Sequence, residues 1–447
     1  MSNLYFETRE RALLGDEFDR LYKAPERVCR AVTVNLLRTD AEQFAEKVDF
    51  VDGRSPFCLE SFYLKDDMRP GRHPYHHAGV YYVQEASAAG PAALLNIQPG
   101  DRVMDLCAAP GGKSSQLGAK LRGKGILVSN EYMAPRAQIL KNNLERMGIA
   151  NSIVLNEDAE RIARLFPEYF NKILVDAPCS GEGMFRKEEQ AVRQHSQALV
   201  KQCAALGAEI LESAARCLAP GGLLCYSTCT FSPEEDEGQI GQFLARHPEF
   251  SILPARLSAG TEGEPKRCGE NHFDASKCWR IYPCHGGEGH FMALLKKQGA
   301  SSFGVATRIK GKSTKECDSF LKEYFGKLPG TIFSVGERIY LLPEDFPSEI
   351  LKLKVLRCGV ELGSMAKGRF VPAHGLVMAF GGRCRNVERL SLDDSRTQAW
   401  LRGEEIAAGT SQNGWTAVLV DGFPLGWGKC SGGRVENHYP KGLRNLG

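Results

Sequence analysis

One segment of this 447-residue chain reads Val103-Met104-Asp105-Leu106-Cys107-Ala108-Ala109-Pro110-Gly111-Gly112-Lys113. A short apolar run ends at an acid, passes into a turn of small residues, and is followed by the helical sequence of residues 114–123. Small residues let a ligand approach the backbone, and the amides at the start of the helix are free to donate hydrogen bonds. The turn lacks the G-x-G-x-x-G pattern, so it does not specifically indicate a pyrophosphate ligand.

The segments after this turn alternate between strand-like and helix-like patterns. We predict strands at 101–107, 125–131, 152–155, 172–176 and 223–227, and helices at 134–147, 197–218 and 233–246. Strands that alternate with helices indicate βαβ units, so the predicted core is an α/β, Rossmann-like fold with a doubly wound parallel sheet. In the last helix, Ser232 is the predicted N-cap, and the acids at 234–236 occupy the first turn.

The flanking segments have other patterns. Two helix-like stretches and a strand-like stretch at 30–36 predict an N-terminal α+β extension. After residue 298, Ser, Gly and Lys mark a linker to about residue 315, and alternating runs at 332–335, 338–342 and 416–420 predict a small β-rich C-terminal part. We therefore predict domains at 1–90, 91–298, 299–380 and 381–447.

Composition and charge restrict the class of protein. With 43% hydrophobic and 25% charged residues, the chain is not disordered. It contains no apolar run of membrane-spanning length and no signal-peptide core at the N-terminus, so we expect a soluble, cytoplasmic protein. Residues 1–300 carry 36 Lys and Arg against 39 Asp and Glu, whereas residues 301–447 carry 21 against 15. The basic C-terminal part indicates a polyanionic partner, although an ordinary solvated surface explains the excess almost as well.

The fifteen cysteines form no regular framework, which indicates reduced thiols. The densest stretch of Cys and His has ligand types for zinc but no C-x-x-C pair and none of the common spacings. We predict no metal site there. The side chains concerned are Cys268, His272, Cys278, Cys284, His285 and His290.

Polar and nucleophilic side chains follow the predicted strands at their carboxyl ends, where ligands bind in doubly wound sheets. Glu131 ends the strand after the glycine turn, a position from which an acid can accept hydrogen bonds from both ribose hydroxyls of an adenosine-type cofactor. Asp158 follows the next strand. Asp176 and Cys179 end one further strand and Cys229 another, so the two thiols are expected to meet. Free cysteines are usually buried small residues, but the neighbouring acid and nucleotide-type pocket favour a reactive pair.

Three motifs closely resemble those of the Sun-type RNA cytosine-5 methyltransferases, which use S-adenosylmethionine. They are D-L-C-A-A-P-G-G-K at 105–113, D-A-P-C-S-G-E-G at 176–183 and Y-S-T-C-T-F-S-P-E-E-D-E at 226–237. H-A-G-V-Y-Y-V-Q-E-A-S upstream and G-E-G-H-F downstream also match. The segment 426–444 resembles the tail of bacterial members of the family that act on small-subunit ribosomal RNA, whose C-terminal part includes a PUA-like RNA-binding module. The resemblance extends from about residue 25 to the end.

The resemblance implies a covalent mechanism. Cytosine C5 is a poor nucleophile, but a thiolate added to C6 makes C5 enamine-like and able to take a methyl group. Cys229 would be the nucleophile, Cys179 would assist product release, and Asp176 would hydrogen-bond the cytosine ring. Lys113 is either an ordinary first-turn helix residue or a cation beside the base.

The resemblance also implies a cofactor site and a substrate. S-adenosylmethionine would bind residues 107–113, Glu131, Asp158 and Asp176, with Arg136 near its adenosine end. Gln84 and Glu85 belong to the matching upstream motif, and a hydrogen-bonding role in a loop explains them as well as a role in the site does. The implied substrate is 16S ribosomal RNA, free or in the small subunit, and the protein is expected to be a monomer.

Several alternatives stay open from the sequence. DNA cytosine methyltransferases also use a Pro-Cys motif, so Pro178-Cys179 could supply the nucleophile instead. A transfer RNA could be the substrate, or a non-catalytic RNA-binding assembly factor could retain the fold. A nicotinamide dehydrogenase lacks support without the glycine fingerprint. We expect the dipole of the helix capped by Ser232 to favour a thiolate at Cys229, and Asp176 to oppose ionisation of Cys179.

Overall fold

The computed structural model describes residues 3–25, 28–300, 309–344 and 346–444. Its N-terminal part is α+β, as predicted. Strands β2, β3, β1 and β4 form an antiparallel sheet in that order. The elements are α1 Leu4–Leu14, α2 Glu17–Leu21, β1 Arg30–Val34, α3 Ala41–Lys47, β2 Val51–Arg54, β3 Ser61–Leu64, α4 Pro74–His77 and β4 Tyr81–Glu85.

The central part alternates strands and helices. Its elements are α5 Gly90–Leu94, β5 Arg102–Asp105, α6 Gly112–Lys120, β6 Ile126–Asn130, α7 Ala134–Arg146, β7 Ser152–Leu155, α8 Ala159–Leu165, β8 Phe170–Asp176, α9 Glu189–Gln194, α10 Gln197–Cys217, β9 Leu218–Thr228, α11 Glu237–Arg246, β10 Phe250–Leu253, β11 Thr261–Glu262, β12 Trp279–Ile281 and β13 His290–Lys297. Short 3-10 turns lie between several of them.

Five neighbouring strands of this part, in the order β9-β8-β5-β6-β7, are parallel, and β13 joins β9 antiparallel. This arrangement confirms the predicted Rossmann-like sheet. Adjacent residues of β5 pack into hydrophobic cores on opposite faces of the sheet. Val103 packs with α6 and α7 on one face, and Met104 packs with α8 and α10 on the other. Apolar residues on both faces are what a parallel sheet covered by helices requires.

The C-terminal part is β-rich, and the strands predicted near 332, 338 and 416 are confirmed. Residues 301–308 of the predicted linker lie outside the described residues. The elements are α12 Lys315–Tyr324, β14 Thr331–Val335, β15 Arg338–Leu342, β16 Val355–Cys358, β17 Val360–Ala366, β18 Arg369–Pro372, α13 His374–Phe380, β19 Val387–Leu390, α14 Ser395–Arg402, β20 Ile406–Ala407, β21 Gly414–Val420, β22 Phe423–Ser431 and β23 Arg434–Asn437.

The C-terminal strands connect to the rest of the molecule in two ways. Strand β16 pairs antiparallel with β7 and so extends the edge of the central sheet. The last sheet, β19-β21-β22-β23-β20, shares a hydrophobic core with the N-terminal sheet, where Phe44 and Phe62 belong to the same cluster as Trp400 and Leu425. Tyr75 also donates a hydrogen bond of 2.9 Å to Asp421. The two ends of the chain therefore fold against each other.

The helix predicted to begin at Pro233 begins instead at Glu237, and Ser232 is not its N-cap. Asp236 accepts a hydrogen bond from Thr228 and pairs with Arg280 at 3.0 Å, which holds its backbone outside the helical region. Glu237 pairs with the same guanidinium. These buried ion pairs outweigh the local preference for an N-cap, so the dipole predicted to act on Cys229 is absent from this position.

Among the described residues, no helix combines the length and the hydropathy that crossing a bilayer demands.

Candidate active site

The glycine turn leaves an open backbone cradle at the end of β5. Gly111 adopts φ = +112°, a left-handed conformation that favours glycine. At Gly112, an added Cβ would lie 2.4 Å from the side-chain oxygen of Gln84 and 2.9 Å from the Tyr82 ring, so a larger residue would displace these side chains. Ser114 anchors the first turn of α6 by donating to Asp105 at 2.6 Å. The first-turn amides of α6 have no intrahelical partner by geometry, so they suit an anionic group of a ligand.

Glu131, which directly follows β6, is held in place by neighbouring groups. The buried carboxylate of Glu131 accepts a hydrogen bond of 2.8 Å from the Met133 amide and lies 3.4 Å from the Arg136 guanidinium. Arg136 in turn donates to the Ala109 carbonyl at 2.9 Å, and so joins the acid to the glycine turn. Asp158 is exposed and caps α8 by accepting from the amides of Glu160 and Arg161.

The two predicted thiols meet. Strands β8 and β9 are parallel neighbours with Asp176 opposite Ser227, so the loops that follow them lie side by side. Cys179 Sγ and Cys229 Sγ are 3.4 Å apart. The pKa of the Cys179 thiol is raised well above its ordinary value, first by its hydrogen bond with Cys229 and then by burial. The predicted direction is correct, but the contributing carboxylate is Glu235 and not Asp176.

Asp176 lies in a network of polar side chains. Lys113 donates to it at 2.7 Å and Ser227 at 2.7 Å, and the Nε2 atom of His290 is 3.7 Å away. Although burial opposes it, the Lys113 charge and then His290 lower the pKa of Asp176 well below its usual value. Burial also opposes the charge of Lys113, yet Asp176 and then Cys229 raise the Lys113 pKa above its ordinary value. Lys113 is therefore a cation that pairs with Asp176 and interacts with Cys229.

Buried acids fix the loop that carries Cys179. Glu235 accepts from the amide and hydroxyl of Ser180 at 2.8 and 2.5 Å. Glu182 accepts two hydrogen bonds from Arg9, one from the Phe231 amide and contacts His195 at 2.8 Å. Burial raises the pKa of Glu235 to about 7 despite its bonds to Ser180. Helix α1 thus reaches the active-site loop through Arg9.

Sequence reasoning missed several of these side chains. Ser227 and Glu182 were visible only as letters of a motif, and Glu235 was expected only as an acid in the first turn of a helix. His290 was grouped with the Cys and His stretch considered for zinc. In the structure, His290 lies beside Asp176 instead. Over the described ranges, no three His, Cys, Asp or Glu side chains converge in a way that could hold a metal ion. Glu85 has the loop role considered for it, because it accepts from the amides of Ser87, Ala88 and Glu288.

Family models match the chain along most of its length. A model described as "16S rRNA methyltransferase RsmB/F" matches residues 92–296. Models described as the N-terminal domain of 16S rRNA methyltransferase RsmF, the RsmF rRNA methyltransferase first C-terminal domain and the methyltransferase RsmF PUA domain match residues 3–86, 319–380 and 387–445.

Curated relatives cover nearly the whole chain. The ribosomal RNA small subunit methyltransferase F of Klebsiella pneumoniae (strain 342) is 32% identical over 453 residues, which span 96% of this chain and 92% of that relative. The protein of the same description from Aeromonas salmonicida (strain A449) is 31% identical over 454 residues, 96% and 93% of the two chains.

Two solved structures share the fold of about two thirds of this chain. A methyltransferase homolog protein from Pyrococcus horikoshii superposes with a TM-score of 0.58 at 30% identity, covering 66% of this chain and 94% of its own. NSun6 from Pyrococcus horikoshii, solved with SFG, gives a TM-score of 0.54 at 21% identity and covers 66% and 97% of the two chains. The second likeness concerns the fold alone.

Proposed function

Since this chain belongs to the ribosomal RNA small subunit methyltransferase F family, we propose that it methylates C5 of a cytosine in 16S ribosomal RNA through a covalent cysteine adduct. One observation carries the chemistry: two thiols 3.4 Å apart lie beside an ion pair, at the ends of adjacent parallel strands. One thiol can attack the base while its neighbour acts on the leaving sulfur.

S-adenosylmethionine is the cofactor of this family, and when bound it supplies an electrophilic methyl group on a sulfonium sulfur. The residues present fit it. Residues 107–113 form an open turn, the free amides of α6 suit its carboxylate, and buried Glu131 suits its ribose hydroxyls. We assign Arg136, which ties Glu131 to the turn, to the adenosine end, together with exposed Asp158.

The proposed reaction uses four side chains. The thiolate of Cys229, next to the Lys113 ammonium, adds to C6 of the cytosine. N3 gains a proton as the thiolate adds, and Asp176 accepts a hydrogen bond from that N3–H. C5 then takes the methyl group from the sulfonium sulfur, which leaves as a neutral thioether. The C5 proton is lost to water, and its electron pair restores the C5–C6 double bond as the S–C6 bond breaks. Cys179, whose raised pKa keeps it protonated, donates a hydrogen bond to the departing sulfur.

The other parts of the chain are proposed to deliver RNA. We keep the division into 1–90, 91–298, 299–380 and 381–447, with a PUA module at the end. The target base has to leave its stack to reach Cys229, which favours a looped or single-stranded segment. The substrate is taken as ribosomal RNA because the relatives carry that name; transfer RNA is the alternative for a direct comparison.

Trapping the adduct tests the proposal. With S-adenosylmethionine and 16S ribosomal RNA, Cys229→Ala should give neither 5-methylcytosine nor adduct. Cys179→Ala should add and transfer methyl but release slowly, leaving a protein–RNA complex that survives denaturing electrophoresis. Cys203→Ala, a half-buried cysteine of α10, is the matched control and should behave as wild type.

The outcomes separate the alternatives. If Cys229→Ala traps RNA and Cys179→Ala does not, the roles of the thiols are reversed, as in the DNA-type mechanism. If the wild-type protein binds RNA but makes no 5-methylcytosine in ribosomal or transfer RNA, the catalytic proposal is wrong.

A further inference from the structure

His290 is a buried histidine between two parts of the candidate active site. It begins β13, and its side chain is 4% exposed. Its Nδ1 atom lies 3.4 Å from the Ser87 hydroxyl, and its Nε2 atom lies 3.7 Å from Asp176 Oδ1. Among the described residues, Nε2 has no hydrogen-bond partner. A buried polar atom without a partner is costly, and here it is directed at the carboxylate that faces the substrate.

The surrounding hydrogen bonds determine where His290 carries protons. The Ser87 hydroxyl donates to Glu85, so its oxygen is left to accept from Nδ1–H of His290. A neutral imidazole protonated at Nδ1 presents a lone pair at Nε2. That lone pair would face an ionised carboxylate, which can only accept. A proton on Nε2, by contrast, would be directed at an oxygen of that carboxylate.

Asp176 by itself has no proton to give. Lys113 and Ser227 both donate to it, an arrangement that holds it as a carboxylate. Cytosine N3, however, gains a proton when a thiolate adds at C6. The Lys113 ammonium is nearer than His290, but Asp176 raises its pKa above the ordinary value despite burial, which makes it a poorer proton donor. His290 lies 3.7 Å from the carboxylate, and histidine is the side chain whose charge ordinarily changes between pH 5 and 8.

We propose that His290 supplies, through Asp176, the proton that N3 gains on addition of Cys229, and takes it back when the product leaves. This inference rests on the proposed function. As the S–C6 bond forms, the electrons of the C5–C6 double bond shift toward N3, which takes a proton from Asp176. Asp176 receives a proton from Nε2 of His290, and the imidazole becomes neutral. After methyl transfer and loss of the C5 proton to water, the N3 proton returns through Asp176 to His290.

The charged groups around His290 come from four segments. Asp176 ends β8, Lys113 lies in α6, Glu85 ends β4, and Glu288 lies two residues before β13. Glu288 is already paired with Arg186 at 3.1 Å and accepts from the Cys29 amide. Since Ser87 and Glu85 belong to the N-terminal part, that part contributes to the proton path.

Single-turnover methylation of 16S ribosomal RNA over pH 5.5–9 tests the role. The wild-type rate should rise and then fall with pH, since addition to C6 needs a thiolate and protonation of N3 needs an acid. His290→Gln keeps a polar side chain of similar size but cannot carry the proton. Its rate should drop about a hundredfold at pH 7, with the falling limb lost and the KM for RNA unchanged. His272→Gln, an exposed histidine of a nearby loop, is the matched control.

A second variant keeps the test decisive if His290→Gln does not fold. Ser87→Ala removes the acceptor at Nδ1 and should move the falling limb to lower pH. His290 has no such role if folded His290→Gln keeps the falling limb, or if the limb is unmoved in Ser87→Ala. Failure of the proposed function would look different, because the wild-type protein would then make no 5-methylcytosine at any pH.

Discussion

Glu131→Ala should weaken binding of S-adenosylmethionine by a factor set by one charged hydrogen bond. One carboxylate oxygen of Glu131 already accepts from the Met133 amide, so we expect a ribose hydroxyl to bind the other, which lies 3.4 Å from the Arg136 guanidinium. A hydrogen bond to a charged group contributes about 1.5–3 kcal/mol, which corresponds to roughly a ten- to hundredfold increase in Kd. Glu131→Gln retains an acceptor without the charge, so its Kd should rise only a few fold.

Titration calorimetry of the full-length protein with S-adenosylmethionine measures both variants. Glu189→Ala is the matched control, since it removes an exposed carboxylate of α9 that pairs with Arg193 at 2.6 Å and has no part in the proposed cofactor site. Its Kd should equal that of the wild type. An unchanged affinity in folded Glu131→Ala, or an equal loss in Glu189→Ala, would refute the assignment of Glu131 to the ribose.

Three further predictions concern other parts of the molecule. Burial raises the pKa of Glu235 from 4.5 to about 7, so the stability that its protonated form contributes is lost as the pH rises through that window. Glu235→Gln keeps the side chain neutral and should therefore raise the free energy of unfolding by about 3 kcal/mol at pH 8 and little near pH 4.5. Urea denaturation at the two pH values measures the difference. Arg9→Ala leaves the Glu182 charge buried and should lower stability by about 3 kcal/mol, with slower methylation because the Cys179 loop loosens. Charge reversal of exposed Arg389 and Lys429 should reduce the salt slope of RNA binding by about 0.7 for each phosphate that is no longer neutralised; an unchanged slope would place the RNA elsewhere.

The sequence was sufficient to predict the central sheet and the meeting of the thiols. Apolar runs such as 172–176 are covered on both faces, and the rule that parallel strands end at one edge brings Cys179 to Cys229. The predicted start of α11 was wrong because Asp236 and Glu237 form buried ion pairs with Arg280, which is more than 40 residues away in the sequence. Local capping preferences carry no information about such a partner.

His290 illustrates why part of the site escaped sequence reasoning. Its neighbour Ser87 is 203 residues away in the sequence, and Asp176 comes from a third segment. No spacing rule links three such positions, and a histidine among cysteines suggests metal binding first. The packing of the C-terminal sheet on the N-terminal sheet was equally invisible, because each shows only an ordinary alternation of apolar residues.

The core shared by the two ends of the chain has a consequence for synthesis. Phe44, Phe62 and Tyr81 are made early, but the residues that complete their cluster, from Leu390 to Tyr439, follow about 300 residues later. At roughly 5–20 residues per second, the nascent N-terminal sheet stays uncovered for about 15–60 seconds. During that interval its apolar face is a natural client for a ribosome-associated chaperone, and translation stalled before residue 390 would leave an aggregation-prone chain.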